Sequence, residues 1–363
     1  MTAPQQPSPE PQPIVTPLRT AAIFLVLTID PGGEDAARDL LADVAALQRS
    51  VGFRLPEADL AAVVGIGSDA WDRLFSGPRP AELHPFRELR GGKHLAVATP
   101  GDLLFHLRAD QMGLCFEFAT QVMNRLAGYV TVHDEVHGFR YFDERDLMGF
   151  VDGTESPAGR AGEEAALVGA DDPDFTGGSY VVVQKYLHDM DAWNALTTEE
   201  QERVIGRLKL SDIEIPDELK APDSHLALNT IVEPDGTERK ILRSNMPFGS
   251  PGSQEFGTYY IGYAATPGVT EQMLENMFIG DPPGNTDRIL DFSTAVTGTQ
   301  FFAPSADFLD DLPDPPEPGA ALATGDDAAS APSRPEPARP GPTSTTPQPS
   351  GSLGIGSLKR STP

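Results

Sequence analysis

The chain has 363 residues, a length that at roughly one domain per 100–200 residues allows two or three units. Acids outnumber bases 54 to 27, and the net charge of −27 speaks against nucleic acid as a partner, because binding its backbone needs clustered Lys and Arg. A single cysteine, Cys115, excludes an intrachain disulfide, a cysteine-rich zinc site and a C-x-x-C-H haem attachment.

Residues 1–18 hold six of the 35 prolines, so this end is expected to be disordered or polyproline-like. There is no Lys or Arg before Arg19, and the apolar run Ala21–Leu27 is too short to cross a bilayer. With no polybasic run either, no membrane contact is expected, and the protein is expected to be soluble and intracellular. Ala21–Asp30 reads as a buried strand. Glu34–Ser50 reads as a helix, with Ala36, Leu40, Leu41, Val44 and Leu47 at helical spacing. Ala61–Gly65 and Asp102–Leu107 suggest strands, Gln111–Leu126 a helix, and Thr131–Tyr141 an extended segment. Cys115, between Leu114 and Phe116, reads as a buried thiol.

The same order then returns. Ser179–Tyr186 is strand-like, and Thr197–Arg207 is a helix whose Thr197 and Glu200 have capping-box spacing. His225–Val232 and Ile241–Met246 look extended, Gly257–Ala264 is a strand and Thr270–Met277 a helix. The expectation is an α+β protein of two halves, 19–148 and 149–305, each an antiparallel sheet with helices on one face. Residues 306–350 form a Pro-rich linker too poor in large apolar residues to offset its ordering entropy. In the last segment, 351–363, Leu353, Ile355 and Leu358 reappear among Gly and Ser.

No Walker loop, H-E-x-x-H, EF-hand loop or G-x-S-x-G elbow occurs, and Gly65-Ile66-Gly67 lacks the third glycine of a dinucleotide fingerprint. Three other segments could carry chemistry. In Gly149-Phe150-Val151-Asp152-Gly153-Thr154-Glu155, Asp-Gly suits a plain turn. Yet Asp152 also follows an apolar approach through Leu147, Met148, Phe150 and Val151, and a half-buried carboxylate there can move protons. Arg243 and Asn245, two apart in an extended run, project to one face. They read either as a strand edge or as donors aimed at a small anion or a polarised oxygen. His225 is a lone histidine, structural or ligating. His133 and His137 are four apart, but the extended reading of their segment separates them.

Together these segments resemble the dye-decolorizing peroxidases. The resemblance rests on G-x-x-D-G at Gly149–Gly153, Asp223-Ser224-His225, R-x-N at Arg243–Asn245, the run Glu200–Arg207 and the run Asp287–Ser293. It covers roughly residues 20–305, and the compact length looks most like the bacterial B-type group. It implies two ferredoxin-like halves with haem b in the second. His225 would be the axial ligand of the haem iron, with Asp287 accepting the hydrogen bond from its other nitrogen. Asp152, Arg243 and Asn245 would form the distal side, and Arg207 would pair with a haem propionate. The implied reaction consumes hydrogen peroxide and oxidises dyes, phenols or similar one-electron donors. Trp71, Trp193 and Tyr186 are either electron relays or packing. A homo-oligomer, dimer or hexamer, is implied as well.

Residues 351–363 resemble the cargo-loading peptides of proteins packed in encapsulin shells. The expected partner is therefore an encapsulin, engaged by Leu353, Ile355 and Leu358, and the expected location a cytoplasmic nanocompartment. A linker of about 45 residues at about 5–6 Å × √n reaches on the order of 35–40 Å. Two competing readings are release of iron from haem and haem binding without turnover.

Overall fold

The computed structural model describes residues 9–317. The first part of the chain contains β1 (Ala21–Ile29), α1 (Glu34–Gly52), β2 (Ala61–Gly67), α2 (Ser68–Leu74), β3 (Leu89–Arg90), β4 (Leu95–Ala96), β5 (Leu103–Ala109), α3 (Met112–Arg125) and β6 (Val130–Phe139). After α4 (Gly159–Ala166) come β7 (Ser179–His188), α5 (Met190–Asn194), α6 (Thr198–Ile205), α7 (His225–Asn229), β8 (Ile231–Val232) and β9 (Glu238–Arg239). The chain continues with β10 (Leu242–Arg243), β11 (Met246–Ser250), β12 (Glu255–Ala264), α8 (Pro267–Phe278), β13 (Ser293–Ala295), β14 (Thr299–Ala303) and α9 (Ala306–Asp310).

Strands β6-β1-β5-β2 lie side by side and antiparallel, and so do β11-β12-β7-β14. Each set has its fourth strand beside its first, which is the ferredoxin-like β-α-β-β-α-β order. The halves meet where β14 pairs with β2, Phe301 opposite Gly67 and Phe302 opposite Ile66. One continuous sheet results. It curls until β6 approaches β11, where an added Cβ on Gly138 would lie 2.5 Å from the Met246 Cβ.

Period-two alternation explains why β1 is apolar throughout. Ala22, Phe24 and Val26 point into the curl, with Val63, Val181, Val183, Ile261 and Phe301. Ile23, Leu25 and Leu27 point outward, against Leu40, Leu41 and Val44 of α1 and Phe118 and Val122 of α3. A strand buried on both faces needs an unbroken apolar run. Each fully buried Leu, Val or Phe contributes about 1.5–3 kcal/mol. Cys115 sits in this outer layer with no exposed surface, and burial pushes its thiol up to about 12.

Helix α6 has its expected capping box, Thr197 Oγ1 accepting from the Glu200 N–H and Glu200 accepting from the Thr197 N–H. His225–Val232 differs from expectation. It opens with the one-turn helix α7, capped by Ser224, whose Oγ accepts from the Ala227 N–H. Five residues are too few for helical periodicity to be visible.

Both expected boundaries of disorder also move. Residues 9–18 are packed against the body rather than disordered. The Gln12 amide donates to the carbonyls of Val64 and Pro304 and accepts from the Val64 N–H, while Ile14 is fully buried. Backbone groups that β2 and β14 leave unpaired at their seam are thereby satisfied. At the other end, order runs past 305. Ser305 caps α9, Leu309 is buried, Arg38 donates to the Pro313 carbonyl, and Ser76 donates to the Asp314 carbonyl. Proline content marks weak local structure, and side-chain hydrogen bonds to a distant seam override it. Residues 351–363, with Leu353, Ile355 and Leu358, lie outside the described residues. No helix among the described residues is long and apolar enough to cross a membrane.

Candidate active site

A cavity open to solvent lies on the outer face of the second half. Its floor is the outward row of β7, Gln184, Tyr186 and His188, with Thr258 and Tyr260 of β12. Met273, Leu274 and Met277 of α8 form one wall, α7 another, and the segments 146–155 and 238–245 the rest.

His225 enters from the start of α7. Its Nδ1 lies 2.7 Å from Oδ2 of Asp287, a carboxylate with no exposed surface. Since a buried carboxylate accepts, the proton is assigned to Nδ1. Nε2 is left unprotonated on the cavity wall, and no hydrogen-bond partner meets it among the described residues. Asp287 also caps the short turn that follows it, Oδ1 accepting from the Ile289 N–H at 2.9 Å. The carboxylate therefore holds a loop and a histidine at once. Asn229 closes the arrangement by donating to the His225 carbonyl at 2.8 Å.

Asp152 comes from a tight loop. Arg145 faces Val151 across a short antiparallel bridge, the Asp152 N–H donates to the Glu144 carbonyl at 2.9 Å, and Gly149 turns with φ +94°. That left-handed φ suits glycine. A Cβ at Gly149 would also lie 2.5 Å from Lys209 Cε. Met148 and Phe150 pin the loop to Trp193, Val204 and Ile205, and Trp193 Nε1 donates to the Met148 carbonyl at 2.9 Å.

Asn245 and Asp152 are brought together as the sequence suggested. Oδ1 of Asn245 accepts from the Ile261 N–H at 3.0 Å, which turns its Nδ2 toward Asp152 Oδ1 at 3.2 Å. Arg243 lines the same cavity, and no carboxylate pairs with its guanidinium among the described residues. Its backbone N–H donates to Ser156 Oγ at 3.1 Å. An always-charged group without an internal counterion is available to an incoming anionic oxygen.

Arg207 also lines the cavity, but it is already engaged. It pairs with Glu155, its Nη1 donates to the Asp212 carbonyl at 2.8 Å, and Glu214 lies 3.7 Å away. Glu155 stands in the quoted motif, yet its role as partner of Arg207 was not legible there. Asp146, Gln184 and Tyr260 were missed because they have no spacing signature. Trp71 and Trp193 are buried among aromatic neighbours, whereas Tyr186 faces the cavity with its hydroxyl on Gln184 Oε1. His188 faces it too, and burial holds its imidazole down at about 4. His133 and His137 project from β6, His133 to Thr28 Oγ1 and His137 to the Glu135 carboxylate, and no cluster of three or more metal-ligating residues occurs among the described residues.

Comparison with known proteins identifies the family. Residues 11–140 match the family model "Dyp-type peroxidase, N-terminal", and residues 143–308 match "Dyp-type peroxidase, C-terminal". The chain belongs to the Dyp-type peroxidase family and is therefore an oxidoreductase of the peroxidase class. A dye-decolorizing peroxidase of Rhodococcus erythropolis is 65% identical over 351 residues, 97% of each chain. The encapsulated DyP-type peroxidase from Mycobacterium smegmatis superposes with a TM-score of 0.84 at 64% identity, covering 85% of this chain and 100% of that one. A Rhodococcus jostii DypB variant solved in complex with heme superposes at 0.82 with 54% identity, covering 84% and 99%.

Proposed function

We propose that the protein is a haem b peroxidase that reduces hydrogen peroxide while oxidising dyes, phenols or similar one-electron donors, and that it works as encapsulin cargo in the cytoplasm. The observation that carries this reading is a polarised histidine on the wall of a large cavity. Nδ1 of His225 is held at 2.7 Å by buried Asp287, and Nε2 is left for a metal. A carboxylate that accepts from the far nitrogen of a ligating histidine fixes the tautomer and raises ligand basicity. The donor set fits haem: a neutral imidazole nitrogen, apolar walls from Met273, Leu274, Met277 and Ile289, and an unpaired Arg243. Arg207 fits less simply, since a propionate there must share it with Glu155.

Bound haem supplies the redox-active iron for cleavage of the peroxide O–O bond. Asp152 takes the proton from one peroxide oxygen and returns it to the other. Asn245 holds Asp152 in place through its Ile261-anchored amide. Arg243 stabilises the negative charge that develops on the departing oxygen. A mere haem carrier needs only His225 and has no use for the other three residues. The absorption spectrum of purified protein before and after stoichiometric peroxide tests the enzyme class. A Soret band that shifts is expected, and an unchanged band would reject turnover. Recovery of iron with intact porphyrin would favour haem-iron release.

Support for packaging comes from the encapsulated relative and from the apolar residues Leu353, Ile355 and Leu358. Deleting 351–363 should leave activity in free solution unchanged and remove haem absorbance from the shell peak on gel filtration of co-expressed protein. Equal haem in that peak would assign loading to the folded body.

A further inference from the structure

The interior of the curled sheet holds a polar pair that the scheme above leaves unused. Tyr263 of β12 and His106 of β5 have no exposed surface, and the Tyr263 hydroxyl lies 2.7 Å from His106 Nδ1. Their rings stack with centroids 6.0 Å apart, and Phe24 and Tyr259 continue the column at 4.8 and 4.2 Å. Among the described residues the Tyr263 hydroxyl has no other hydrogen-bond partner, and His106 Nε2 has none. With the imidazole proton on Nδ1, the phenol O–H and the Nε2 lone pair would both be stranded in the interior. With the proton on Nε2 only that N–H is stranded, so Tyr263 is assigned as donor and Nδ1 as acceptor. Burial, and then the charge of Arg108, hold this imidazole well below its ordinary value, so the ring is neutral.

Neighbouring tyrosines lack such an acceptor. Tyr259 is on the same face of the same strand and equally buried, but its hydroxyl has no partner among the described residues. The charge of Asp134 reaches Tyr259, yet no hydrogen bond joins them. Tyr186 donates to an amide oxygen, that of Gln184. Tyr260 lines the cavity from the opposite face of β12, and its hydroxyl lies where a Cβ on Gly262 would be. Successive residues of a strand face opposite sides. Tyr263 is therefore one strand's thickness from the cavity, next to Gly262, which is opposite Arg243 in the β10–β12 pairing.

We propose that Tyr263 and His106 form a proton-coupled redox pair that stores one oxidising equivalent of the peroxide reaction inside the protein. The proposal rests on the peroxidase reading. Reduction of peroxide to water takes two electrons, and without an external donor Tyr263 supplies one of them to the haem oxidised by peroxide. Its O–H bond breaks, the proton forms an N–H bond at His106 Nδ1, and a neutral tyrosyl radical is left beside an imidazolium. A phenol that has lost an electron is a far stronger acid than imidazolium, so even this weak base takes the proton. The charge of Arg108 disfavours the imidazolium, which returns the proton when a phenol or dye gives the electron back. At Tyr259 the same oxidation would leave a charged radical in an apolar interior, which is costly.

The test mixes holoenzyme with one equivalent of hydrogen peroxide and no donor, and reads the Soret band and the electron paramagnetic resonance of frozen samples. The parent should form a tyrosyl radical whose hyperfine pattern narrows when the protein carries ring-deuterated tyrosine. Y263F removes one oxygen, and it should keep the Soret shift and lose that radical. Y259F should keep both. H106Q, whose amide oxygen accepts a hydrogen bond but takes no proton, should lose the radical as Y263F does. A phenol added to the parent should abolish the radical and restore the resting band. A radical of parental shape and amount in Y263F, a Soret shift without a tyrosyl radical in the parent, or a radical that outlasts the phenol would overturn the proposal. If H106Q fails to fold, Y263F and Y259F decide. A Soret band that peroxide leaves unchanged would remove the peroxidase reading, and with it the oxidant that this pair requires.

Discussion

The two halves have one topology and opposite interiors. In the first, the connection from β1 to β2 is a single 19-residue helix, α1, which with α3 covers the outer face of the sheet. In the second, the connection from β7 to β11 is broken into α5, α6 and α7, of five, eight and five residues, with loops between. The outward row of β1 reads Ile23, Leu25, Leu27, while that of β7 reads Gln184, Tyr186, His188. Where helices seal an apolar row, the half is a packed core. Where they break up over a polar row, a cavity remains, and its rim carries the residues to which the chemistry is proposed to belong. Repeating a fold therefore need not repeat a site.

That contrast can be broken from the site side or from the core side. The largest effect is expected for His225→Ala, which removes the proposed iron ligand. The Soret band should be lost or strongly altered while circular dichroism stays that of the parent, and full haem occupancy with an unchanged band would remove the ligand assignment. Arg243→Leu should keep haem yet react with peroxide about 10²–10³-fold more slowly, as expected when one stabilising donor to a developing oxyanion is lost. Stopped-flow rates within about threefold of the parent would count against it. In the first half the signature should invert. Leu25→Ala should lower unfolding free energy by about 2–5 kcal/mol with haem spectrum and rate unchanged below the melting range. A specific loss of peroxide reactivity at full folding would mean that the halves are not separable. The smallest effect is expected at the seam. Gln12→Ala leaves the Val64 and Pro304 carbonyls and the Val64 N–H without their partner. It should cost about 1–3 kcal/mol in denaturant unfolding, with activity intact.

Much of this architecture was legible beforehand, because helices and strands are written in short-range patterns. The boundaries of β1, α1, α3, β7 and α8 fall within a few residues of where apolar periodicity placed them, and the cap of α6 was visible in Thr197 and Glu200. Helix α7 was not, since a single turn has no period. The ordered stretch 9–18 was hidden for another reason. Its proline content predicts a weak local preference, but its order comes from a hydrogen bond to Pro304 across 292 residues.

The site divides in the same way. The sequence by itself determined the α+β alternation, the two halves, the tight Gly149–Gly153 turn and, through its motifs, the membership of Asp152, His225, Arg243 and Asn245 in one candidate set. Tertiary structure alone decided which atoms meet. It set His225 Nδ1 on Asp287 from 62 residues away, turned the Asn245 amide with the Ile261 N–H, gave Glu155 to Arg207 and placed Asp146 on the cavity wall beside Asp152. The physical reason is range. Backbone periodicity and caps depend on neighbours within about one turn or one strand pair. The partner, burial and charge state of a polar side chain depend on groups that only the folded sheet brings within hydrogen-bond distance.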